Sequence, residues 1–292
     1  MRVRKVPDDQ LRQLGKMDWV DRTRRPFRDD GITWVPVRSG EPCDREITNP
    51  PLYHGRGFYM VGDIAVIHGI RPSADAVDGI RRLRHPRGIV WIASLNDVTR
   101  TPETEVMWGK SGEVSHKESG FTYIFDPCKV MFSQGNREEK RRLTELVRAG
   151  TGCEKVADMF AGIGYFTIPL AGAGARVHAM EINPVAFGYL NRSLVANGLS
   201  DRVTASLGDC RELLEGTYDR IIMGHFDAPD MLPVALQHVR KNSVLHIHSL
   251  GLVSEQIETE LACAGFSATI QVHMVKKYRP HVWHVVQDVH IE

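Results

Sequence analysis

The chain has 292 residues, of which 42% are hydrophobic and 25% are charged, proportions that are ordinary for a globular protein. No apolar run approaches the ~20 residues of a membrane span, and the charged start lacks the apolar core of a signal peptide. Five widely spaced cysteines without a C-x-x-C pair disfavour a disulfide framework or a zinc site. We therefore expect a soluble, cytoplasmic protein without a membrane partner, and no obligate protein partner is evident.

The first half of the chain has the pattern of a small α+β domain. Short strand-like runs such as "GITWVPV" and "FYMVGDIAVIHG" are separated by Gly, Pro and Asp. The segment "NREEKRRLTELVRAG" then has apolar residues at helical spacing. These patterns predict an N-terminal α+β domain over residues 1–132 and a linking helix within 133–150.

The second half alternates strand-like runs with helical periods from about Lys155 onward. This alternation is typical of a doubly wound parallel sheet. The last two runs, "FSATIQVHMVKKY" and "VWHVVQDVHIE", have no helix between them and predict a hairpin. We therefore expect an α/β domain over residues 151–292 whose sheet ends in an antiparallel strand.

Basic residues are clustered although the formal net charge is only +1. The clusters lie at 22–28, 81–87, 140–142 and 276–279. Most such runs are solvated faces, but four of them on a nearly neutral chain favour a polyanionic partner. The sequence does not say which cluster meets it.

The stretch "DMFAGIGYF" (158–166) places an acidic residue and two glycines between a predicted strand and a predicted helix. A dinucleotide fingerprint needs a third glycine, but Thr167 stands three residues after Gly164. A P-loop is excluded as well, because no Gly-Lys-Ser/Thr follows. What remains is a turn that lets the backbone come close to a ligand.

Two more acidic residues, Glu181 and Asp209, end the next two predicted strands. A carboxylate at the first position suits the two hydroxyls of a ribose, and one at the second suits an exocyclic amine such as adenine N6. No Lys or Arg accompanies the glycine turn, which disfavours a triphosphate. The three acidic residues together predict S-adenosylmethionine as the ligand.

The segments "DMFAGIGYFTIPLA" and "AMEINPVAFGYLNRSLVANGL" resemble the class I S-adenosylmethionine-dependent tRNA enzymes that act at position 37. Two sister families share this body: the guanine-37 N1-methyltransferases and the wybutosine-pathway enzymes that transfer a 3-amino-3-carboxypropyl group to 4-demethylwyosine. The resemblance extends from about Gly57 to the end. It implies a Rossmann-like catalytic domain that binds S-adenosylmethionine over residues 151–292, and tRNA bound at its anticodon region as the partner. For the N-terminal domain over residues 1–132 we expect an accessory, tRNA-binding role.

Three features make the chain more similar to the aminocarboxypropyltransferases. "MGHFDAPDM" stands where the methyltransferases carry an Asn-Leu-Pro-like segment. Their catalytic Glu falls on Arg141, and a guanidinium cannot act as a general base. The ending "KKYRPHVWHVVQDVHIE" also resembles that family. The guanine-37 methyltransferase remains the alternative, and a non-catalytic RNA-binding protein with a vestigial cofactor fold is the alternative of another class.

The resemblance also implies that Ser133 and Lys140 contact the cofactor, the lysine through the cofactor's carboxylate. His225, next to the expected acceptor, is a candidate for removing the proton that the acceptor loses. No metal is expected, because the pair His246 and His248 lacks a third ligand at close spacing. The complete set of predicted cofactor contacts is Ser133, Lys140, Asp158, Phe160, Ala161, Gly162, Gly164, Phe166, Glu181, Ile182, Asp209 and Cys210.

Overall fold

The computed structural model describes residues 1–24, 26–29, 32–47, 57–150 and 153–292. By its contacts the chain divides into two compact units, Met1–Gly55 with Ala74–His85 and Arg56–Ser73 with Pro86–Glu292. No helix in the described part of the chain is long and apolar enough to cross a membrane. The sequence predicted domains that end at residues 132 and 150. These domains are segments expected to fold independently, which a division by contacts does not test, so the boundaries remain predictions.

The described residues of the first unit form a four-stranded antiparallel sheet, a 3-10 helix (Asp8–Lys16) and an α-helix. In the unit's first strand Val3 and Val6 are buried, Arg4 is partly exposed and Lys5 is exposed. The strands pair in the order second, third, first, fourth. The elements are β1 (Arg2–Val6), β2 (Phe27–Asp29), β3 (Ile32–Pro36), β4 (Arg45–Glu46) and α1 (Ala74–Arg84).

The second unit begins with a four-stranded sheet, a separate hairpin and a helix. The strands of this sheet pair in chain order; the middle two are parallel and the other pairs antiparallel. The sheet consists of β5 (Phe58–Val61), β6 (Ile64–His68), β7 (Gly88–Asn96) and β8 (Thr101–Gly109). The hairpin is β9 (Val114–Glu118) with β10 (Phe121–Phe125), and the helix is α2 (Arg137–Ala149).

A seven-stranded sheet with helices between its strands forms the rest of the second unit. Its strands are β11 (Lys155–Asp158), β12 (Arg176–Glu181), β13 (Val203–Leu207), β14 (Arg220–Met223), β15 (Val244–Leu250), β16 (Ala268–Arg279) and β17 (Val282–Ile291). The helices are α3 (Thr167–Gly172), α4 (Pro184–Ala196), α5 (Cys210–Leu213), α6 (Leu232–Ala235) and α7 (Ser254–Ala264). The sheet order is β13-β12-β11-β14-β15-β17-β16, with five parallel strands followed by an antiparallel pair.

The central strands are buried on both faces, because helices cover both sides of the sheet. All four residues of β14 are buried. Ile222 belongs to the core that includes Leu190 of α4, whereas its neighbour Ile221 belongs to the core that includes Leu232 of α6. Successive residues of this strand therefore pack into the two cores on opposite faces of the sheet.

The α/β class predicted from the sequence is confirmed: a Rossmann-like, doubly wound sheet with an antiparallel C-terminal strand. The strand order reverses direction between β11 and β14, because β12 and β13 lie on one side of β11 and β14 on the other. Ligands bind at the carboxyl ends of strands beside such a reversal. The glycine turn follows β11 and therefore lies at the carboxyl end of the sheet beside this reversal.

Candidate cofactor-binding site

The glycine turn after β11 is held in a conformation that depends on its two glycines. Gly162 and Gly164 have φ angles of 56° and 99°, in the left-handed region that side chains disfavour. A Cβ on Gly164 would lie 2.7 Å from Cδ1 of Ile168, so a side chain there would collide with α3. The amide of Ala161 donates to the carbonyl oxygen of Met180 over 2.9 Å and joins the turn to β12.

Asp158, at the end of β11, is fully buried and accepts hydrogen bonds from its own turn. Its carboxylate accepts from the Thr167 hydroxyl over 2.7 Å and from the amide of Phe160 over 3.4 Å. Burial raises the pKa of Asp158 to about 6. The carboxyl therefore fixes the shape of the turn and the start of α3, and its direct contact with a cofactor stays a prediction.

Glu181, at the end of β12, is the carboxylate that the structure prepares most clearly for a ligand. One of its oxygens accepts from the amide of Gly162 over 2.6 Å and the other from the amide of Asn183 over 2.7 Å. Burial raises the pKa of Glu181. Each oxygen keeps a second lone pair, so the group fits a ribose diol. Ile182 beside it is 42% exposed and offers an apolar surface for a base.

Asp209 and Cys210 follow β13 at the start of α5. Asp209 accepts from the amide of Arg211 over 2.9 Å and pairs with its guanidinium. The hydrogen bond from that guanidinium lowers the pKa of Asp209. Cys210 is buried, and burial raises the pKa of its thiol to about 11, so the thiol is neutral and not a nucleophile.

Ser133 and Lys140 reach the glycine turn through Tyr165. The amide of Ser133 donates to the Tyr165 hydroxyl over 2.8 Å, and Nζ of Lys140 lies 4.9 Å from the centroid of the Tyr165 ring. Lys140 forms a buried ion pair with Glu118, and the two side chains are only 6% and 4% exposed. Arg137 donates to the other oxygen of Glu118 over 2.9 Å. The three charges sum to +1, which suits an anionic group of a ligand.

His225 follows β14 and lies on the other side of the site. Its ring stacks on Phe160 of the glycine turn, with centroids 5.3 Å apart, and Nε2 accepts from Nε of Arg100 over 2.8 Å. Burial and the Arg100 charge both lower the pKa of His225, so the ring is neutral at pH 7. Phe166, the remaining predicted aromatic contact, is buried, with its ring against Gly224.

Three residues at this site were not predicted from the sequence: Arg100, Asn183 and Glu118. Nδ2 of Asn183 donates to the carbonyl oxygen of Thr99 over 3.1 Å and ties the β7–β8 turn to the end of β12. Its position before a proline indicates a helix N-cap, and its Oδ1 does accept from the amide of Val185. Nothing local in the sequence marks it as a clamp on a turn 84 residues away.

Residues at the carboxyl ends of the strands and on α2 together fit an adenosine that carries an amino acid. Glu181 has free lone pairs for a ribose, Ile182 is exposed beside it, and Lys140 with Arg137 supplies an excess positive charge for a carboxylate. Within the described ranges no group of three His, Cys, Asp or Glu residues is placed to hold a metal ion. All five cysteines are free thiols.

Known proteins resemble the chain along most of its length. A family model described as the TRM5/TYW2 methyltransferase domain matches residues 114–276. A relative from Methanocaldococcus jannaschii, named tRNA(Phe) (4-demethylwyosine(37)-C(7)) aminocarboxypropyltransferase, is 32% identical over 250 residues, 82% of this chain and 99% of the relative. The tRNA wybutosine-synthesizing protein 2 homolog of Mus musculus is 43% identical over 239 residues, 77% of this chain. This chain spans about half (50%) of the mouse protein.

Solved structures from both sister families share the fold. M. jannaschii TYW2 in complex with AdoMet has a TM-score of 0.64 at 28% identity, over 81% of this chain and 99% of that one. P. horikoshii TYW2 in complex with MeSAdo has a TM-score of 0.69 at 26% identity, over 82% and 92%. Trm5b from Pyrococcus abyssi covers all of both chains with a TM-score of 0.75, but at 24% identity this likeness concerns the fold alone.

The family model covers more than half of the residues, and a relative at 32% identity is matched over nearly its whole length. That relative is named an aminocarboxypropyltransferase, and the solved structure of M. jannaschii TYW2 is a complex with AdoMet. This chain belongs to the TRM5/TYW2 methyltransferase-domain family.

Proposed function

We propose that this chain transfers the 3-amino-3-carboxypropyl group of S-adenosylmethionine to the 4-demethylwyosine base at position 37 of tRNA-Phe and releases methylthioadenosine. The relatives' names support this substrate. The observation that carries the choice between the sister reactions is the start of α2. Arg141 stands where the methyltransferases carry their general base, and it is exposed and paired with Glu138.

Neighbouring carboxylates do not replace the missing base. Glu139 is buried and pairs with Arg142, so it lies on another face of α2 from Arg141. Glu138 is exposed and engaged by Arg141. Both Glu138 and Glu139 are engaged by arginines, so neither is a free acceptor for the N1 proton of guanine. This favours attack by a ring carbon of the acceptor over methylation of guanosine.

The proposed transfer needs selection of one carbon of the sulfonium. The acceptor's ring carbon forms a bond to Cγ of the methionyl chain, the Cγ–S bond breaks, and its electron pair stays on sulfur. The acceptor carbon then loses its proton. Glu181 and the glycine turn would hold the adenosine, and Lys140 the carboxylate, so that Cγ lies in line with the acceptor.

His225 is the proposed acceptor of that proton. Its ring is neutral and stacked on Phe160, but Arg100 donates to its Nε2. Arg100 must therefore leave this nitrogen, for instance for the arriving base, before the imidazole takes a proton.

Because the proposed substrate is tRNA, we propose that the protein acts in the cytoplasm and contacts the anticodon region of the tRNA.

Chromatography of the nucleoside products tests the proposal. With precursor-containing tRNA and S-adenosylmethionine, we expect methylthioadenosine and a tRNA whose mass has grown by an aminocarboxypropyl group. S-adenosylhomocysteine with methylated guanosine-37 would instead establish the methyltransferase. A protein that binds no S-adenosylmethionine in calorimetry would be the vestigial RNA-binding form.

A further inference from the structure

The tip of the terminal hairpin, defined here as Lys276–Trp283, is basic and aromatic at once. It contains Lys276, Lys277 and Arg279 and no acidic residue. Lys277 and Arg279 are exposed, and Tyr278 and Trp283 are 51% and 42% exposed although they are large and aromatic. Such a combination on one short segment is the composition of a surface that binds single-stranded nucleic acid.

The cations at this tip are free, whereas those of the other basic clusters are mostly neutralised. In the part of the chain that the structure describes, no carboxylate lies within ion-pair distance of Lys277 or Arg279. In the cluster 81–87, by contrast, three of the four arginines have a carboxylate partner, and Arg84 has none among the described residues. The pairs are Arg81 and Arg82 with Asp78, and Arg87 with Asp63.

The two remaining clusters add little free charge that the structure describes. Lys140, Arg141 and Arg142 each pair with a glutamate. In the cluster 22–28, Arg24 lies 3.5 Å from Asp21. Arg22 donates to the carbonyl oxygen of Gly15 over 2.8 Å and has no carboxylate partner among the described residues. Arg25 falls outside the described residues, and the side chain of Arg28 is not described. An unpaired cation is the one that gains most from a phosphate, because it gives up no existing ion pair.

The hairpin tip is also joined to the acceptor side of the candidate site. The ring of Tyr278 packs edge-on against Phe226, with centroids 5.3 Å apart. Phe226 follows His225 in sequence, and the Arg100 guanidinium lies 5.5 Å from its ring centroid. An RNA strand that delivers a base beside His225 would therefore run onto the hairpin tip.

Strand pairing places a cation beside an exposed indole. Lys277 and Trp283 are directly opposite each other on β16 and β17, so their side chains lie on one face. Irregular register on both sides of Lys277 twists the edge strand β16. Lysines and bulges are also common on edge strands because they prevent unwanted pairing. That protection does not account for the exposed Tyr278 and Trp283.

We propose that the hairpin tip is the contact for unpaired nucleotides of the tRNA next to the acceptor base. Lys277 and Arg279 bind phosphates, and the indole of Trp283 stacks on a base. This inference rests on the proposed tRNA substrate, and it adds which surface of the second unit holds the RNA.

Fluorescence anisotropy with an anticodon stem-loop and with a fully paired duplex of the same length tests this surface. We expect the variant K277Q/R279Q to bind the stem-loop about tenfold more weakly, with the slope of log K against log salt reduced by about 1.4. W283A is expected to weaken stem-loop binding about fivefold or more and to leave duplex binding unchanged. The matched control is R81Q/R82Q, which removes two paired arginines and is expected to bind like the wild type.

Charge-conserving variants and cofactor binding separate this role from a loss of fold. K277R/R279K is expected to bind the stem-loop like the wild type, and all variants are expected to keep their S-adenosylmethionine affinity. Equal binding by K277Q/R279Q and wild type, or equal losses in K277R/R279K, would overturn the inference. A wild-type chain that binds no tRNA would instead refute the proposed function itself.

Discussion

Nε of Arg100 donates a hydrogen bond to Nε2 of His225 over 2.8 Å, across 125 positions of sequence. The amide of Asp227 points at the other ring nitrogen, Nδ1, from 3.1 Å. A neutral imidazole has only one nitrogen lone pair, so two donors compete for it. Both donors disfavour the doubly protonated ring, which agrees with the lowered pKa of His225. The site thus keeps this histidine in its basic form.

Replacing Arg100 by Gln should move the acid limb of the pH–rate profile. A base must be unprotonated, so the transfer rate falls as pH drops through the pKa of His225. Burial and Arg100 lower this pKa, and loss of the guanidinium should raise it toward its ordinary value. The acid limb should therefore shift to higher pH. H225Q, measured in parallel, should lower kcat by about 10²–10⁴-fold. Identical pH–rate profiles in wild type and R100Q would show that Arg100 does not influence the pKa of the catalytic base.

Glu181→Ala should weaken S-adenosylmethionine binding by about 2–4 kcal/mol, because two ribose hydroxyls lose their acceptor. Isothermal titration calorimetry measures this directly. Asp209→Ala should cost less, since one hydrogen bond to an amine is at stake and Arg211 already occupies part of its carboxylate. Glu145→Ala, on an exposed position of α2, is the control. An unchanged affinity in the Glu181 variant would remove it from the site.

Glu118→Gln should weaken binding of S-adenosylmethionine but not of methylthioadenosine, which lacks the carboxylate that Lys140 would hold. Burial lowers the pKa of Lys140 and Glu118 raises it, so removal of Glu118 leaves a buried ammonium poorly compensated. We expect at least a tenfold loss for the first ligand, growing as pH rises. Tyr165, Tyr123, His116 and Arg137 also surround this pair and are unchanged in the variant.

Glu113→Gln is the matched control for that measurement, because Glu113 pairs with the exposed Arg192. It should bind both ligands like the wild type. A Glu118 variant that loses both ligands equally would show that the pair supports the fold of the site and not the recognition of the carboxylate.

Asp158→Asn should change how stability depends on pH. The folded-state pKa of Asp158 is raised from 3.8 to about 6, so the folded chain holds the proton more tightly than the unfolded chain. The contribution of Asp158 to the free energy of unfolding is therefore full below about pH 4 and lost as pH rises through about 6. Two pKa units correspond to about 3 kcal/mol. Urea unfolding between pH 4 and 7 should show that the free energy of unfolding of the variant rises relative to that of the wild type as pH increases. A difference that does not depend on pH would contradict this.

The sequence by itself determined the parallel sheet of the second unit and the glycine turn after its first strand. Alternation of strand-like and helical periods is a local property, and it predicted the strands β11–β15 with helices between them and the final hairpin. The glycines of the turn and Glu181 could be found because each occupies a fixed place at a strand end. The backbone geometry and the hydrogen bonds of the glycine turn depend on residues close to it in sequence, such as Thr167, or on the adjacent strand, such as Glu181.

Only the tertiary structure decided which side chains neutralise one another. Lys140 with Glu118 and Arg100 with His225 join residues 22 and 125 positions apart, and no periodicity links such partners. For the same reason four basic clusters were equivalent in the sequence, yet the carboxylates Asp78 and Asp63 neutralise much of one of them and none pairs with Lys277 or Arg279 among the described residues. Charge is a property of composition, but free charge depends on which opposite charges the fold brings within a few ångströms.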